Sequence, residues 1–555
     1  MAPQNLFETL RSPHAAFFPS EETSKWVQDA QNDIQKCERE IEQHQTHIRL
    51  LRAKQATHRR DIARYSSLSS PIRKLPSEIL RRVFGFASIH NYFGHGSSWY
   101  PWYSGAFSIS GVCIRWREIA MASPEIWSNI SLSLEDRALE PVKVCLSRSG
   151  QCPLKLAVDE GSFAFTYEDE EEPGRTLVSE LSRALVEHSS RWSEVDLATA
   201  SHSVTSYISD HPPQATPLLK SVVCSNADFS WFLKADVQEV DISILSSTRP
   251  EPLEERASVL PWHSMRRLRM EYDGQATLAG IFQALQLGVN LQALEYFGYM
   301  KVQGADFYSE AVYGQVKEED LVVSNITSLN LDMMGEEGFY AFLNDFFGTV
   351  TMPSLTSLAL CCDCYALTRI GKGSWGSWPR KALQDSFERS AFTLTTLKLG
   401  GLPLSDSEVL FTLQIAPSVS HFTLSEARST VNGYLDPSRK DQPYQTITKH
   451  LLKRLRGNTS SEDAFATQHP VLTKLTFLRL ETHSPFDADE EFVDLVQSRW
   501  FKQWECDASR AIEKLRTVEL HVHGGKLLPD IYAPLVWVES DGMMVSVHDK
   551  ERRVI

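Results

Sequence analysis

Three stretches of this chain carry residue types that do chemistry in proteins. Cys361, Cys362 and Cys364, with Asp363 between them, place three thiols directly behind the segment LTSLAL. Thiolates bind zinc, but a closed site takes four ligands, and no second Cys or His pair stands nearby in sequence. The expectation is ordinary packed or loop cysteines. His521 and His523 alternate, which on a strand puts both on one face where they could share an ion, yet no third ligand is specified. GKGSWG, from Gly371, has the glycines of a phosphate loop without the G-x-x-x-x-G-K-[ST] order. Neither G-x-S-x-G nor H-E-x-x-H occurs. With no acid, base and nucleophile set, the expectation is a non-catalytic protein with no cofactor and no metal.

Composition narrows the classes further. A chain of 555 residues, 42% hydrophobic and 10% aromatic, is too long for one ordinary core and too apolar for disorder. Charge is unevenly spread: residues 1–74 carry 12 basic and 9 acidic residues, 75–160 carry 8 of each, and the remainder 36 basic and 54 acidic. An acidic body repels phosphate backbones, which argues against nucleic acid as the main ligand. No run reaches the apolar length of a bilayer helix, and MAPQNLFETLRSPHAAFFPS has no continuous apolar segment. Nine cysteines, an odd number without framework spacing, fit a reducing compartment. The expectation is a cytoplasmic or nuclear protein, or both, with no membrane partner.

The elements that must position any functional surface begin with a heptad. Val27, Ala30, Ile34, Cys37, Ile41, His44, Ile48, Leu51, Gln55, His58, Ile62 and Tyr65 are spaced alternately by three and four, with no Gly or Pro inside. One long helix over 24–66 follows, after a flexible stretch 1–23. The seam alone does not choose between a homodimer and a single helix lying on its own protein. KLPSEILRRVF comes next: Pro76 suits a first helical turn, Glu78 complements its positive end, and Leu75, Ile79, Leu80, Val83 and Phe84 share a face. In GVCIRWREIAMASPEIW, Val112, Cys113, Trp116, Ile119 and Ala120 form a second apolar face, and Ser123-Pro124 starts a short turn with Ile126 and Trp127. Three such helices bury too little among themselves and need covering.

LPSEILRRVF followed by VCIRWREIA and SPEIW resembles an F-box, and with a heptad helix ahead of it the arrangement is similar to F-box proteins of mushroom-forming fungi. The resemblance covers 72–130. It implies docking on the Skp-family adaptor of a cullin-RING ubiquitin ligase through Leu75, Pro76, Ile79, Leu80, Val83, Val112, Cys113, Trp116 and Ile119, with Trp127 locking the third turn. The chain departs from that family in an aromatic insertion, about 91–110, where Trp99, Tyr100, Trp102 and Tyr103 crowd Pro101. Its composition reads as a loop.

After residue 131 one pattern, apolar-x-x-apolar-x-apolar, recurs nine times: WSEVDL, VQEVDI, MRRLRM, ITSLNL, LTSLAL, LTTLKL, VSHFTL, LTFLRL and LRTVEL. It resembles the strands of leucine-rich repeats. That resemblance implies an α/β fold: a divergent solenoid over 131–555, a curved sheet with outer helices. PLVWVESDGMMVSVHD reads as a closing hairpin around Asp541-Gly542. Alternate strand positions would form the exposed face, where Arg267, Arg269, Lys398, His421 and Arg479 are the candidate substrate contacts. The function expected is a substrate receptor of an SCF-type ubiquitin ligase with an unknown protein substrate. A non-ligase repeat scaffold, dimeric through the heptad helix, is the alternative.

Overall fold

The structure is a computed structural model that describes residues 20–88, 91–93, 105–133, 139–159, 172–199, 202–225, 232, 235–244, 260–275, 278–300, 321–335, 339–363, 377–427, 445–456, 471–483, 485–500 and 512–555. The aromatic residues 99–103, the first four residues of the acidic run EDEEEP (168–171), GKGSWG, Cys364 and almost all of the stretch 1–23 lie outside them. The chain divides into two compact units, Met1–Val83 and Phe84–Ile555. The first contains the helix Ser20–Leu68, slightly longer than its heptads require, and a 3-10 turn Pro71–Lys74 with proline at its start. Among the described residues no helix is long and apolar enough to cross a membrane.

The second unit is built on strands β1 (Asn91–Phe93), β2 (Asn129–Ser133), β3 (Leu154–Asp159), β4 (Trp192–Thr199), β5 (Ser221–Ser225), β6 (Glu239–Ile244), β7 (Arg267–Gln275), β8 (Ala293–Met300), β9 (Val322–Val323), β10 (Ser328–Gly335), β11 (Val350–Thr351), β12 (Ser357–Asp363), β13 (Thr396–Leu402), β14 (His421–Glu426), β15 (Phe477–Thr482), β16 (Thr517–Val522) and β17 (Met544–His548). Fifteen of them form one sheet in chain order, every adjacent pair parallel, while β9 and β11 pair separately. Parallel neighbours need a crossover, and helices such as Phe339–Thr349, Arg380–Ser390, Asp489–Trp500 and Pro529–Ser540 supply it, the first packing on the second and the third on the fourth.

All nine repeated motifs fall on strands, and register explains their form. Leu329, Leu358, Leu397, Phe422, Leu478, Val518 and Val545 are mutual partners across seven strands and are buried. The first apolar position, Ile326, Leu355, Leu394, Val419, Leu475 or Leu515, is buried just before each strand. The hydroxyl that follows it is also explained. Thr327 donates to the Gln292 carbonyl at 3.0 Å, Thr356 to Thr327 at 3.0 Å, Thr395 to Thr356 at 3.1 Å, Ser420 to Thr395 at 3.2 Å and Thr476 to Ser420 at 3.2 Å. Each of these carbonyls also accepts two backbone N–H groups of the neighbouring strand's start, Thr327 and Ser328 to Gln292 for example, so the hydroxyl ladder adds a third donor where the sheet bonds begin. Gly401 marks a bulge in β13: its φ is +65°, and a Cβ there would stand 2.0 Å from the Cys362 carbonyl oxygen.

Two buried arginines, Arg191 and Arg499, and the half-buried Arg389 staple neighbouring crossovers. Arg389 donates to Phe347 and Val350 carbonyls at 2.8 Å each, at the end of the preceding helix. Arg191 serves the carbonyls of Leu146 and Gly150 in the same way. Arg499 donates to Leu455, Leu472 and Val471 at 2.5, 3.0 and 3.0 Å. Each guanidinium fills the role of a helix C-cap, because the last carbonyls of a helix have no partner of their own.

Three sequence readings are corrected. The sheet begins at β1, inside the span read as an aromatic loop, and that span ends in the helix Gly105–Val112. Asn91 on β1 is fully buried; it donates to the carbonyls of Ile126 (2.8 Å) and Asn129 (2.9 Å) and accepts from the Ala106 N–H (2.9 Å), which is how the short helices acquire their cover. The continuous helix expected across Cys113 is two, Gly105–Val112 and Ile114–Met121, because Cys113 is fully extended (φ −162°, ψ 169°). Asp541-Gly542 closes the helix Pro529–Ser540, with Gly542 at φ +107°, and does not turn a hairpin; β17 runs parallel to β16. The chain turns back only afterwards, with an antiparallel bridge between His548 and Arg553.

Candidate functional site

In the first unit, the seam of the long helix stays open along its length: Val27, Ile34, Ile41, Ile48, Leu51, Ile62 and Tyr65 are all exposed. At the unit's end Leu75 is half-buried, Pro76 exposed and its carbonyl accepts from the Leu80 N–H at 3.0 Å, starting the helix Ser77–Ala87. Ile79 and Val83, one turn apart, face solvent. Leu80 is fully buried, so this predicted docking residue is part of the packing and offers no surface.

In the second unit the short helices that carry the predicted docking residues expose Phe86 (77% exposed), Val112 (58%), Ile114 (72%) and Met121; apolar side chains are also exposed elsewhere in the unit, among them Val289, Trp537 and Met544. Cys113 is half-buried between the two helices. Trp116 lies against Phe84 with centroids 4.8 Å apart, and Ile119 is buried, so these two predicted docking residues mainly hold the helix in place. Trp127 is fully buried, donates to the Ala120 carbonyl at 2.8 Å, meets Phe107 edge-on and is covered by the Arg148 guanidinium at 4.5 Å. It locks the 3-10 turn Pro124–Trp127. Sequence reading missed Phe86, Ile114 and Met121 because they lie off the apolar face that the helical spacing defined.

On the sheet, burial alternates strictly along β14, β15 and β16, which leaves one face partly open. All five predicted substrate contacts lie on it. One lateral row runs Arg269, Glu295, Asn330, Ala359, Lys398, Thr423, Arg479, Glu519 and Ser546. Four strand steps separate Arg269 from Lys398, about 19 Å at the usual strand spacing. The five are therefore dispersed, and most are engaged within the chain. Arg269 pairs with Asp241 at 3.3 Å and lies 4.5 Å over the Phe297 ring. Arg479 pairs with Glu519 at 3.3 Å, His421 stacks on Phe477 at 5.8 Å, and Lys398 hydrogen-bonds near Cys361. Arg267 is exposed.

The stretch from β4 to β8 of this face is acidic. Burial is the largest cause that pushes the Asp241 carboxyl from 3.8 up to about 6; Arg269 opposes it, and Asp196, Glu271 and Glu295 add to it. A carboxyl whose folded value is raised contributes stability that is present below the unfolded value and lost as pH rises through the folded one. Asp241→Asn removes that loss. Melting temperatures of both proteins, measured from pH 4 to 7, are expected to diverge in favour of the variant across this window; parallel curves would refute the assignment.

The thiols and imidazoles are placed differently from their sequence spacing. Cys361 and Cys362 are buried, and burial pushes the Cys361 thiol up to about 11, an unreactive value. His521 stacks flat on His548 of β17, with centroids 5.0 Å apart. His523 instead meets His483 and Glu481 of the neighbouring strand, a grouping that sequence spacing did not suggest. Burial alone would raise the Glu481 carboxyl, but the His523 hydrogen bond and the charges of His483, His523 and Arg479 hold it below its ordinary value.

No protein-family model matches the chain, and no curated protein matches its sequence.

Proposed function

We propose that the chain is a non-catalytic substrate-recognition subunit of an SCF-type cullin-RING ubiquitin ligase, working in the cytoplasm or nucleus. The F-box-like helices dock on a Skp-family adaptor, and the sheet, read as a divergent leucine-rich-repeat solenoid, presents its open face to a protein substrate. The receptor acts by raising the effective concentration of that substrate beside the transfer machinery. The observation that carries the reading is the set of large apolar side chains left in solvent on short, well-packed helices, above all Val112 and Ile114. Apolar groups gathered on one segment of a folded surface mark a place for a partner.

Co-purification of the full chain with a Skp-family adaptor tests it. Wild type is expected to hold the adaptor. Val112→Asp with Ile114→Asp is expected to release it, since each buried interface anchor is worth roughly 2 kcal/mol or more, about 30-fold in affinity. Both positions are solvent-exposed, so the variant keeps its fold, which far-UV circular dichroism checks. Leu75→Ala with Pro76→Ala is expected to weaken the same capture. A folded wild-type chain that binds no adaptor, or an Asp variant that binds it unchanged, would overturn the docking and favour the scaffold.

A further inference from the structure

Glu481 lies near the end of β15, and His483 follows two residues later on the same open face. His523 stands beside them just past β16, held there by its own N–H, which donates to the Thr482 carbonyl at 2.8 Å. Its Nε2 is 2.9 Å from Glu481 Oε1, and His483 Nε2 is 3.8 Å from the same oxygen. The two imidazoles are stacked, with centroids 4.6 Å apart and planes inclined by 13°. One ligand atom from each residue lies within 4.8 Å of the other two.

We propose that Glu481, His483 and His523 form a three-ligand site for a first-row divalent cation, zinc foremost, with its fourth position open toward the exposed side of the sheet. Ligands about 2.0–2.2 Å from a tetrahedral ion stand roughly 3.4 Å from one another, so the two contacts to Oε1 already bracket the required spacing. The 3.8 Å edge and the longest edge have to contract, and one ring has to leave the stack so that both in-plane lone pairs point at the ion; His523, 45% exposed, is the ring with room to turn. His483 and Glu481 are the more enclosed walls, at 10% and 17% exposure. Two imidazole nitrogens and one carboxylate oxygen suit zinc, cobalt, nickel and ferrous iron, and not calcium or magnesium, which take oxygen ligands.

The surroundings favour a single orientation of this set. Arg479 lies 3.9 Å from the other carboxylate oxygen, Oε2, beyond hydrogen-bonding reach, while both histidines stand nearer Oε1. His521 and His548 are occupied with one another, and His548 Nε2 lies 2.8 Å from the Ser546 hydroxyl, so neither belongs to the set. Because the ligands come from adjacent strands, a bound ion would also tie β15 to β16. The site stands independently of the ubiquitin-ligase reading.

The full chain, stripped with a chelator, is titrated with Co2+ and followed by its visible d–d absorption, with Zn2+ then used to displace it. Wild type is expected to bind one equivalent with tetrahedral or five-coordinate bands. His523→Ala and Glu481→Gln are expected to weaken binding by more than about tenfold, the lower bound seen even for loss of an outer partner of a ligand. His521→Ala is expected to bind like wild type. Absence of bands in wild type, equal affinity in His523→Ala, or loss in His521→Ala alone would each overturn the site. His523 is at the surface, so its variant reports binding and not folding.

Discussion

Arg499→Met is expected to lower the unfolding free energy by about 3 kcal/mol and Arg499→Ala by about 5 kcal/mol, read from urea midpoints at constant slope. The side chain is only 3% exposed, and its three donors hold the carbonyls of Leu455, Val471 and Leu472. A buried carbonyl left without a donor costs about 1–3 kcal/mol. Methionine restores much of the packing and relieves the burial that pulls the guanidinium down to about 10. Alanine leaves a cavity as well, so it is the worse of the two. Equal midpoints for wild type and both variants would refute the staple. Leu472, whose carbonyl it holds, has a left-handed backbone with φ +60°, a conformation that persists only when its surroundings impose it.

Glu426→Ala is the second large effect, expected at about 3–4 kcal/mol. This carboxylate is 1% exposed and closes β14 against the segment that follows. Its Oε1 accepts from the backbone N–H groups of Thr446 (2.9 Å) and Ile447 (2.8 Å), and its Oε2 takes the Thr482 hydroxyl of β15. Alanine strands both N–H groups in a dry interior, while Glu426→Gln keeps an acceptor of the same reach and is expected to cost about 1 kcal/mol. Burial raises this carboxyl, so an uncharged acceptor also removes a desolvation cost that offsets part of the lost hydrogen bonding. An alanine variant as stable as the glutamine variant would show that the two N–H groups find other partners.

The repeated strands were legible because their pattern is a direct image of packing: one apolar side chain before the strand and two within it. β5 and β8 obey the same pattern and were passed over, because Cys224 and Tyr296 hold the third apolar place where aliphatic residues stand in the other repeats. Asp541-Gly542 was misread because the same dipeptide serves a tight hairpin and a helix C-terminus, and only the preceding helix decides between them. The exposed face was legible by alternation, but its partners were not. Arg479 meets Glu519 and His523 meets His483 through strand register set by some 40 residues of intervening crossover, so no local spacing announces them. His521 and His523 share one strand face in sequence, yet positions two apart on a strand stand about 6.8 Å apart, farther than neighbours on adjoining strands at about 4.8 Å.

The turn after β17 has a bearing on solubility. The outer edge of β17 is occupied by the chain's own last residues: Val554 N–H donates to the Val547 carbonyl at 2.7 Å, Val547 N–H to Ile555 at 3.1 Å, and Arg553 reaches Glu539 at 3.3 Å. A long parallel sheet with a bare final strand would be a template on which another molecule's strand could grow. Here that growth is stopped by seven residues that bend back and spend the free hydrogen-bonding groups at home, with Glu551, Arg552 and Arg553 presenting charge to any approaching backbone.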